Sequence, residues 1–395
     1  MPFDLPIWLY YVLGFPLLLG PLITLHELGH YLVGRWFGVG AQAFSIGFGK
    51  ELAGWTDSRG TRWKLSALPL GGYVQFKGDM NPASVPERQD EAEDATFGMA
   101  TDADLAREDD RAVAGGSFHN AKLWKRALIV FAGPATNLLL TLAIFAGFFL
   151  VLGKPVPADP EQQLTIASFA EDSPAEEAGL VVGDRIVAID GDRMEGFRDL
   201  QDAVMLYPDR ELSVTYQRDG RETTIPVRTA STQIEDRFGN VSRIGMLGVG
   251  SAGADYDFEG VGLGESLALS VDHTGKLFDM MVTGIVQIVT GERSVKELGG
   301  PVKIAKFSGE QLSMGALAFV NFAALISLNL AFINLLPIPA LDGGHLAFYA
   351  AEAVRRKPVG PRSQEMAYRA GMAFVLMFMI FVTVNDLAGL PIFGG

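Results

Sequence analysis

The 395-residue chain contains no cysteine. That absence excludes disulfides, thiolate metal ligands and a cysteine nucleophile together, so any bound metal has to be held by imidazole and carboxylate. Basic residues are scarce: 32 Lys and Arg against 46 Asp and Glu leave a formal net charge of -14. A protein that displaces counterions from phosphates needs a basic face, so nucleic acid is not an expected partner. Charge of either sign is thin, at 20% of residues, whereas hydrophobic residues make up 49%. This balance is too apolar for two or three soluble domains and fits a membrane protein with a soluble insert.

Apolar runs at Leu5 to Leu28, Ala127 to Leu152, Ala316 to Leu336 and Gly371 to Leu387 each supply the roughly 20 residues that a helix needs to cross about 30 Å of hydrocarbon. The first has neither a basic start nor a small-residue cleavage site, so it is expected to stay in the mature chain. Arg35, then Lys122, Lys125 and Arg126, then Arg355, Arg356, Lys357, Arg362 and Arg369 all fall on one side of a four-span topology. Basic residues beside spans favour the cytoplasm.

Between the first two spans, "FSIGFGKELAGWTDSRGTRWKLSALPLGGYVQFKG" reads as paired strands around a "TDSRGT" turn. The acidic stretch after it has no apolar period and reads as a solvated linker. Beyond span two, "DSPAEEAGLVVGDRIVAIDGDRM" opens a folded module of about 90 residues, with strand alternation, a short helix and a "RDGRE" turn. Later, helical apolar spacing interrupted by Asp272, His273, Lys276 and Asp279 predicts an amphipathic helix on the membrane surface. The expected plan is 1–38 first span, 39–79 β region, 80–121 acidic cytoplasmic linker, 122–152 second span, 156–251 module, 262–292 surface helix, 313–345 third span, 346–368 cytoplasmic loop and 369–390 fourth span.

Where the first run ends, the chain places "HELGH". His26 and His30 are four apart and project from one helical face, with Glu27 beside them, which is the HExxH pattern of two zinc ligands and a carboxylate able to take a proton from metal-bound water. Counting about 1.5 Å per residue from Trp8, His26 lies roughly 27 Å along the helix. Ionisable groups at that depth cost free energy and mark function by default. A catalytic zinc takes three protein ligands. The extended metzincin pattern would need Gly at position 33 and His at position 36, where the chain has Val33 and Trp36. The third ligand must come from elsewhere, and Asp342 in "NLLPIPALDGGH" is the best candidate. Spans one and three run in the same direction, Pro337 and Pro339 open the backbone, and Gly343 and Gly344 permit close approach. His345 is the competing ligand, with a capping or ligand-orienting role as its alternative. The chemistry that follows is peptide-bond hydrolysis.

"HELGH", "FSIGFGK", "PLGGYV", "AGPATN", "SPAEEAGLVVGDRIVAIDG", "GPVKIAKFSG" and "NLLPIPALDGGH", in that order, resemble the site-2 protease family of zinc metalloproteases, in its bacterial branch of regulated intramembrane proteases. The resemblance covers most of the chain, and HELGH paired with LDGG is its specific part. It implies a membrane α-helical fold of four transmembrane helices with a membrane-reentrant β-loop and one extracytoplasmic PDZ domain. It implies one Zn2+ on His26, His30 and Asp342, with Glu27 as base. It also implies that an edge strand through Leu65, Ser66, Ala67, Leu68, Leu70, Gly71, Gly72 and Tyr73 pairs with an unwound substrate, since strand addition satisfies the exposed backbone. Asn329 and Asn334 would hold that substrate, interhelical hydrogen bonding being the other use of membrane Asn. Asn137 would support helix packing or the zinc ligands. His119 and His273 are expected on the ordinary surface. A better-known relative carries two tandem PDZ domains, whereas Val156 to Ser251 has room for one.

The implied activity is that of an intramembrane zinc metalloendopeptidase of the bacterial inner membrane. Its substrates would be pre-cleaved single-span proteins such as anti-sigma factors or signal-peptide remnants. The active site would lie near the cytoplasmic leaflet, the PDZ domain would be periplasmic, and membrane lipid would be the other partner. The alternatives are a membrane-anchored zinc protease of soluble substrates and a catalytically inactive PDZ-bearing scaffold. A dead scaffold would be expected to have lost Glu27 or a ligand, and all four positions are filled.

Overall fold

The computed structural model describes residues 6–78, 113–235, 241–251, 253, 255–295, 298–357 and 359–388. Most of the expected acidic linker, 80–112, therefore lies outside the described residues. Two compact units divide the chain: Met1–Phe145 with His273–Phe278 and Thr290–Gly395, and Ala146–Asp272 with Asp279–Val289.

The first unit opens with α1 (Ile7–Trp36), continuous through Pro16 and Pro21. Each proline removes one backbone donor, leaving the carbonyl four residues earlier, Val12 or Leu17, without its helical partner. A long antiparallel hairpin follows, β1 (Ala41–Thr56) and β2 (Arg62–Phe76). Both strands bend, so residues 41–46 pair on one side with 72–76 and on the other with 62–65, while 62–66 also pair with 51–56. The hairpin thus behaves as four short segments. Tyr31 and Trp63 both donate to Asp57, at 3.4 and 3.1 Å, and anchor the turn to α1.

Next come α2 (Leu123–Leu152), then in the second unit β3 (Lys154–Pro157), α3 (Pro160–Leu164), β4 (Ile166–Phe169), α4 (Pro174–Glu177), β5 (Arg185–Ile189), β6 (Asp192–Arg193), α5 (Phe197–Met205), β7 (Glu211–Arg218), β8 (Arg221–Arg228), β9 (Ala230–Glu235), β10 (Val241–Met246), β11 (Val249–Ser251) and β12 (Tyr256–Glu259). The sheet β6-β5-β7-β8 is antiparallel, and smaller pairs join β9 to β10, β4 to β11 and β3 to β12. Its core gathers Ile186, Leu200, Leu212, Val214, Val227 and Leu247. Every second residue of β7 faces inward, giving Leu212, Val214 and Tyr216, which is the alternation read from the sequence.

The long helix α6 (Leu263–Thr290) follows, and the first unit closes with α7 (Pro301–Met314), α8 (Ala316–Leu335), α9 (Asp342–Arg355) and α10 (Pro361–Ala388). α7 was not foreseen as a separate helix. It packs on α1 where Gly14 and Gly309 meet, and a Cβ on Gly14 would stand 2.7 Å from the Gly309 nitrogen. Asp386 of α10 accepts the Gly300 and Lys303 amides at 3.0 Å and so caps the start of α7. Among the described residues four helices, in the segments Trp8–Trp36, Leu123–Leu152, Ala316–Leu335 and Arg362–Ala388, are long and apolar enough to cross a membrane.

Three expectations need correction. The segment 346–368, expected as a loop, is largely helical, because α9 runs to Arg355 and α10 begins at Pro361; Ala and aromatic residues sustain the turn where basic residues had read as a loop. The third span does not continue to 345. It ends at Leu335, and Leu336 is extended. His273 is not plain surface either: it is half-buried and packs edge-on against Phe145, with ring centroids 4.7 Å apart. His119 is exposed.

One ion pair in the second unit generates a pH prediction. Burial alone would raise the Asp184 carboxyl, but the Arg218 guanidinium at 2.6 Å and the Val181 amide at 2.8 Å hold it below the ordinary carboxylate range. A carboxyl depressed on folding adds stability above its unfolded pKa of about 3.9 and loses it as pH falls toward the folded value. Hydrogen exchange on the full-length protein is expected to show protection of the amides around Val181 and Ile166 falling between about pH 4 and more acid values. Asp184→Asn should lower that protection at neutral pH and flatten its acid dependence.

Candidate active site

Both histidines sit near the C-terminal end of α1 and are buried, His26 at 7% and His30 at 9% exposure. Asp342 comes to them from α9. Its Oδ2 stands 3.1 Å from His26 Nε2 and 3.5 Å from His30 Nε2, and the two imidazole nitrogens are 3.2 Å apart. The three donor atoms lie within 4.8 Å of one another. C-terminal ends of α1 and α8 therefore meet, as the parity of the spans requires.

Local sequence explains how Asp342 is aimed. Pro337 and Pro339 cannot continue α8, and the chain turns through short backbone bonds, Ile338 N to Leu336 O at 2.7 Å and Leu341 N to Ile338 O at 3.0 Å. Ala340 adopts φ 88°, a left-handed conformation that non-glycine residues rarely hold and that clusters at functional sites. Gly343 and Gly344 have no room for a Cβ against the carbonyls of Leu335, Leu336 and Ile338.

α2 completes the floor. The Ile129 carbonyl lies 2.8 Å from His30 Nδ1; accepting from Nδ1–H, it leaves Nε2 with its lone pair toward Asp342. α2 approaches this closely because Gly29 presents no side chain: a Cβ there would lie 2.6 Å from the Ala132 carbonyl oxygen. Gly133 is equally constrained. A Cβ on it would overlap His30 Nε2 and stand 2.7 Å from His26 Nε2, inside the space where the donors converge.

The cavity in front of the donors measures ≈ 330 Å³, and its lining includes Glu27, Phe48, Gly72, Tyr73, Val74, Asn334 and His345. His345 is outside the three-atom cluster. Its Nδ1 lies 2.7 Å from the Tyr368 hydroxyl, and burial pushes the imidazole below its ordinary value. Of the residues expected to hold substrate, Gly72, Tyr73 and Asn334 line the cavity, whereas Leu65, Ser66, Ala67, Gly71 and Asn329 do not. Leu68 and Leu70 have side chains outside those described. Leu65 and Ser66 are also not on a free edge: Leu65 pairs with both Ile46 and Ala53, and Ser66 is buried with its hydroxyl 3.0 Å from that of Ser45. The bend in β1 wraps it around 62–66 and moves the edge to 72–76. Gly133 was missed as a site residue; its signal was its place in "AGPATN".

The donor set fits a metal. Two imidazoles and a carboxylate converge, Asp342 Oδ2 is buried without a hydrogen-bond partner, and Gly133 keeps the volume between them clear. Nitrogen and oxygen donors in this number are those of catalytic zinc. The model of peptidase family M50 matches residues 14–378. The chain belongs to peptidase family M50. It is 41% identical over 382 residues to a "putative zinc metalloprotease" of Agrobacterium fabrum, covering 96% of each chain. It is 42% identical over 371 residues to one of Mesorhizobium japonicum so named, covering 93% of this chain and 96% of that one. It is 34% identical over 395 residues to Metalloprotease MmpA of Caulobacter vibrioides, covering 95% of this chain and 94% of that one. This M50 peptidase is a membrane-embedded zinc metalloprotease.

The peptidase should not tolerate a side chain at position 133. Gly133→Ala is expected to weaken zinc binding by at least about 10-fold, the scale on which disturbed ligand surroundings act, with helical content by circular dichroism unchanged. Full zinc occupancy in that variant would show that the cleared space is not where the metal sits.

Proposed function

We propose that the enzyme cuts peptide bonds within transmembrane segments of single-span proteins already shortened by an earlier cleavage, such as anti-sigma factors or signal-peptide remnants, in the bacterial inner membrane. One observation carries this reading: the donor cluster, Glu27, the Gly72–Val74 segment and Asn334 share one cavity in a unit whose long helices are apolar enough to span lipid.

A transmembrane helix must be opened before its peptide bond is reachable, and its backbone groups then need partners. Segment 72–76 has β1 on one side and, among the described strands, nothing on the other, so an extended substrate can add there as a further strand. Gly72 lies directly against Glu27, where a Cβ would stand 3.3 Å from Glu27 Cγ. A strand on that edge would therefore pass the base. Asn334, near the end of α8, lines the same cavity and would hydrogen-bond the backbone of that strand.

Zinc held by His26, His30 and Asp342 supplies Lewis-acid polarisation of the scissile carbonyl and acidification of water. Glu27 takes the proton of the attacking water on its carboxylate and returns it to the departing amine nitrogen. His345 lines the same cavity, with its Nδ1 within hydrogen-bond distance of the Tyr368 hydroxyl. The basic residues beside the spans favour a cytoplasmic position for the cavity's end of the membrane. The second unit, on the other side, is then a periplasmic module of PDZ type. It either receives the new C-terminus or excludes substrates with bulky external domains.

Co-expression of tagged, truncated single-span proteins with wild type and with Glu27→Gln tests the reading. Processing is expected to fall by roughly 10²–10⁴-fold in the variant, the contribution of a general base. Identical processing across the whole panel would refute intramembrane proteolysis, and cleavage confined to soluble substrates would favour an anchored protease.

A further inference from the structure

Asn137 is fully buried on α2, and its amide Nδ2 lies 3.3 Å from His26 Nδ1. In that orientation its Oδ1 is buried with no hydrogen-bond partner. His26 Nε2 faces Asp342 and His30, so it can ligate only with its lone pair free, and the proton must then sit on Nδ1. An amide nitrogen facing Nδ1–H would set donor against donor. A half-turn about Cβ–Cγ exchanges the two amide atoms at no cost in volume and places an acceptor there.

We propose that Asn137 is a positioning residue, whose side-chain oxygen accepts from His26 Nδ1–H, fixes the ligating tautomer and ties the ring to the third span. The inference rests on the zinc reading above. Its second half comes from the backbone of the same residue. The Asn137 carbonyl accepts from Ser327 of α8 at 2.8 Å and from Thr141 at 3.0 Å, and the Thr141 hydroxyl also lies 3.1 Å from the Ala324 carbonyl of α8. Ser327 and Thr141 are, like Asn137, at 0% exposure. α8 therefore holds His26 through Asn137 and holds Asp342 through the break at its own end. The two imidazoles are steadied differently: His30 by a helix carbonyl on α2, His26 by a side chain whose station depends on α8.

Zinc affinity of the full-length apoprotein in detergent, measured by competition with a chelator, separates orientation from packing. Asn137→Leu keeps the volume without a hydrogen bond, and Asn137→Asp can only accept. Expected are a loss of about 10–100-fold for Asn137→Leu and affinity within about threefold of wild type for Asn137→Asp, since carboxylate–histidine pairs serve zinc ligands well. The cobalt-substituted protein should show the wild-type visible spectrum in Asn137→Asp alone of the two. Equal losses in both variants would mean that the amide nitrogen is the donor, and wild-type affinity in Asn137→Leu would reduce the residue to packing; either overturns the proposal. If Asn137→Leu does not fold, Asn137→Asp decides alone by keeping or losing zinc. A wild-type protein that binds no zinc would sink the metalloprotease reading and this inference with it.

Discussion

Two imidazoles from one helix and a carboxylate from beyond the end of another meet within a few ångströms of each other, and much of the first unit serves that meeting. Three polar groups brought together away from water are costly unless something compensates their lone pairs. A divalent cation does so, and it explains why the space between them is kept free of side chains at Gly133 and why Asp342 Oδ2 has no hydrogen-bond partner. The arrangement is pre-organised rather than adaptable. Ile129 and Asn137 fix the rings from behind, and the turn through Pro337, Pro339 and Ala340 fixes the carboxylate.

The same constraint shapes the helix packing. For α2 to offer a backbone carbonyl to His30, it must cross α1 at a residue without a side chain, and Gly29 is that residue. Small residues at helix crossings are the usual means of close approach among apolar helices. α7 meets α1 the same way, at Gly14 and Gly309, and is capped from α10 by Asp386. The site is thus braced by helices distant in the chain, which suits chemistry that depends on tenths of an ångström.

Where expectation and structure part, the reason is tertiary in each case. Alternation in 62–76 marks a strand, but alternation is silent on which strand flanks it. Leu65 ends up paired on both sides because β1 bends back around it, and the edge that lines the cavity falls to 72–76. Basic residues in 346–368 read as a loop because charge reports the side of the membrane, whereas α9 is held helical by contacts such as Arg126 with Glu352 at 3.0 Å and the same guanidinium over Tyr349. Gly133 carries no chemistry of its own and becomes significant only when the imidazoles on a different helix are seen to lie in front of it.

By itself, the sequence determined the apolar spans, the two histidines on one helical face with Glu27 beside them, and the candidacy of Asp342. These rest on short-range rules: about 20 apolar residues cross a bilayer, and residues four apart share a helical face. The tertiary structure alone decided that Asp342 rather than His345 joins the donor cluster, which strand edge opens on it, and which groups on α2 stand behind each imidazole. Those are distances between residues tens to hundreds of positions apart, set by how closely glycine-bearing helices pack and by where a strand bends. No local periodicity encodes them.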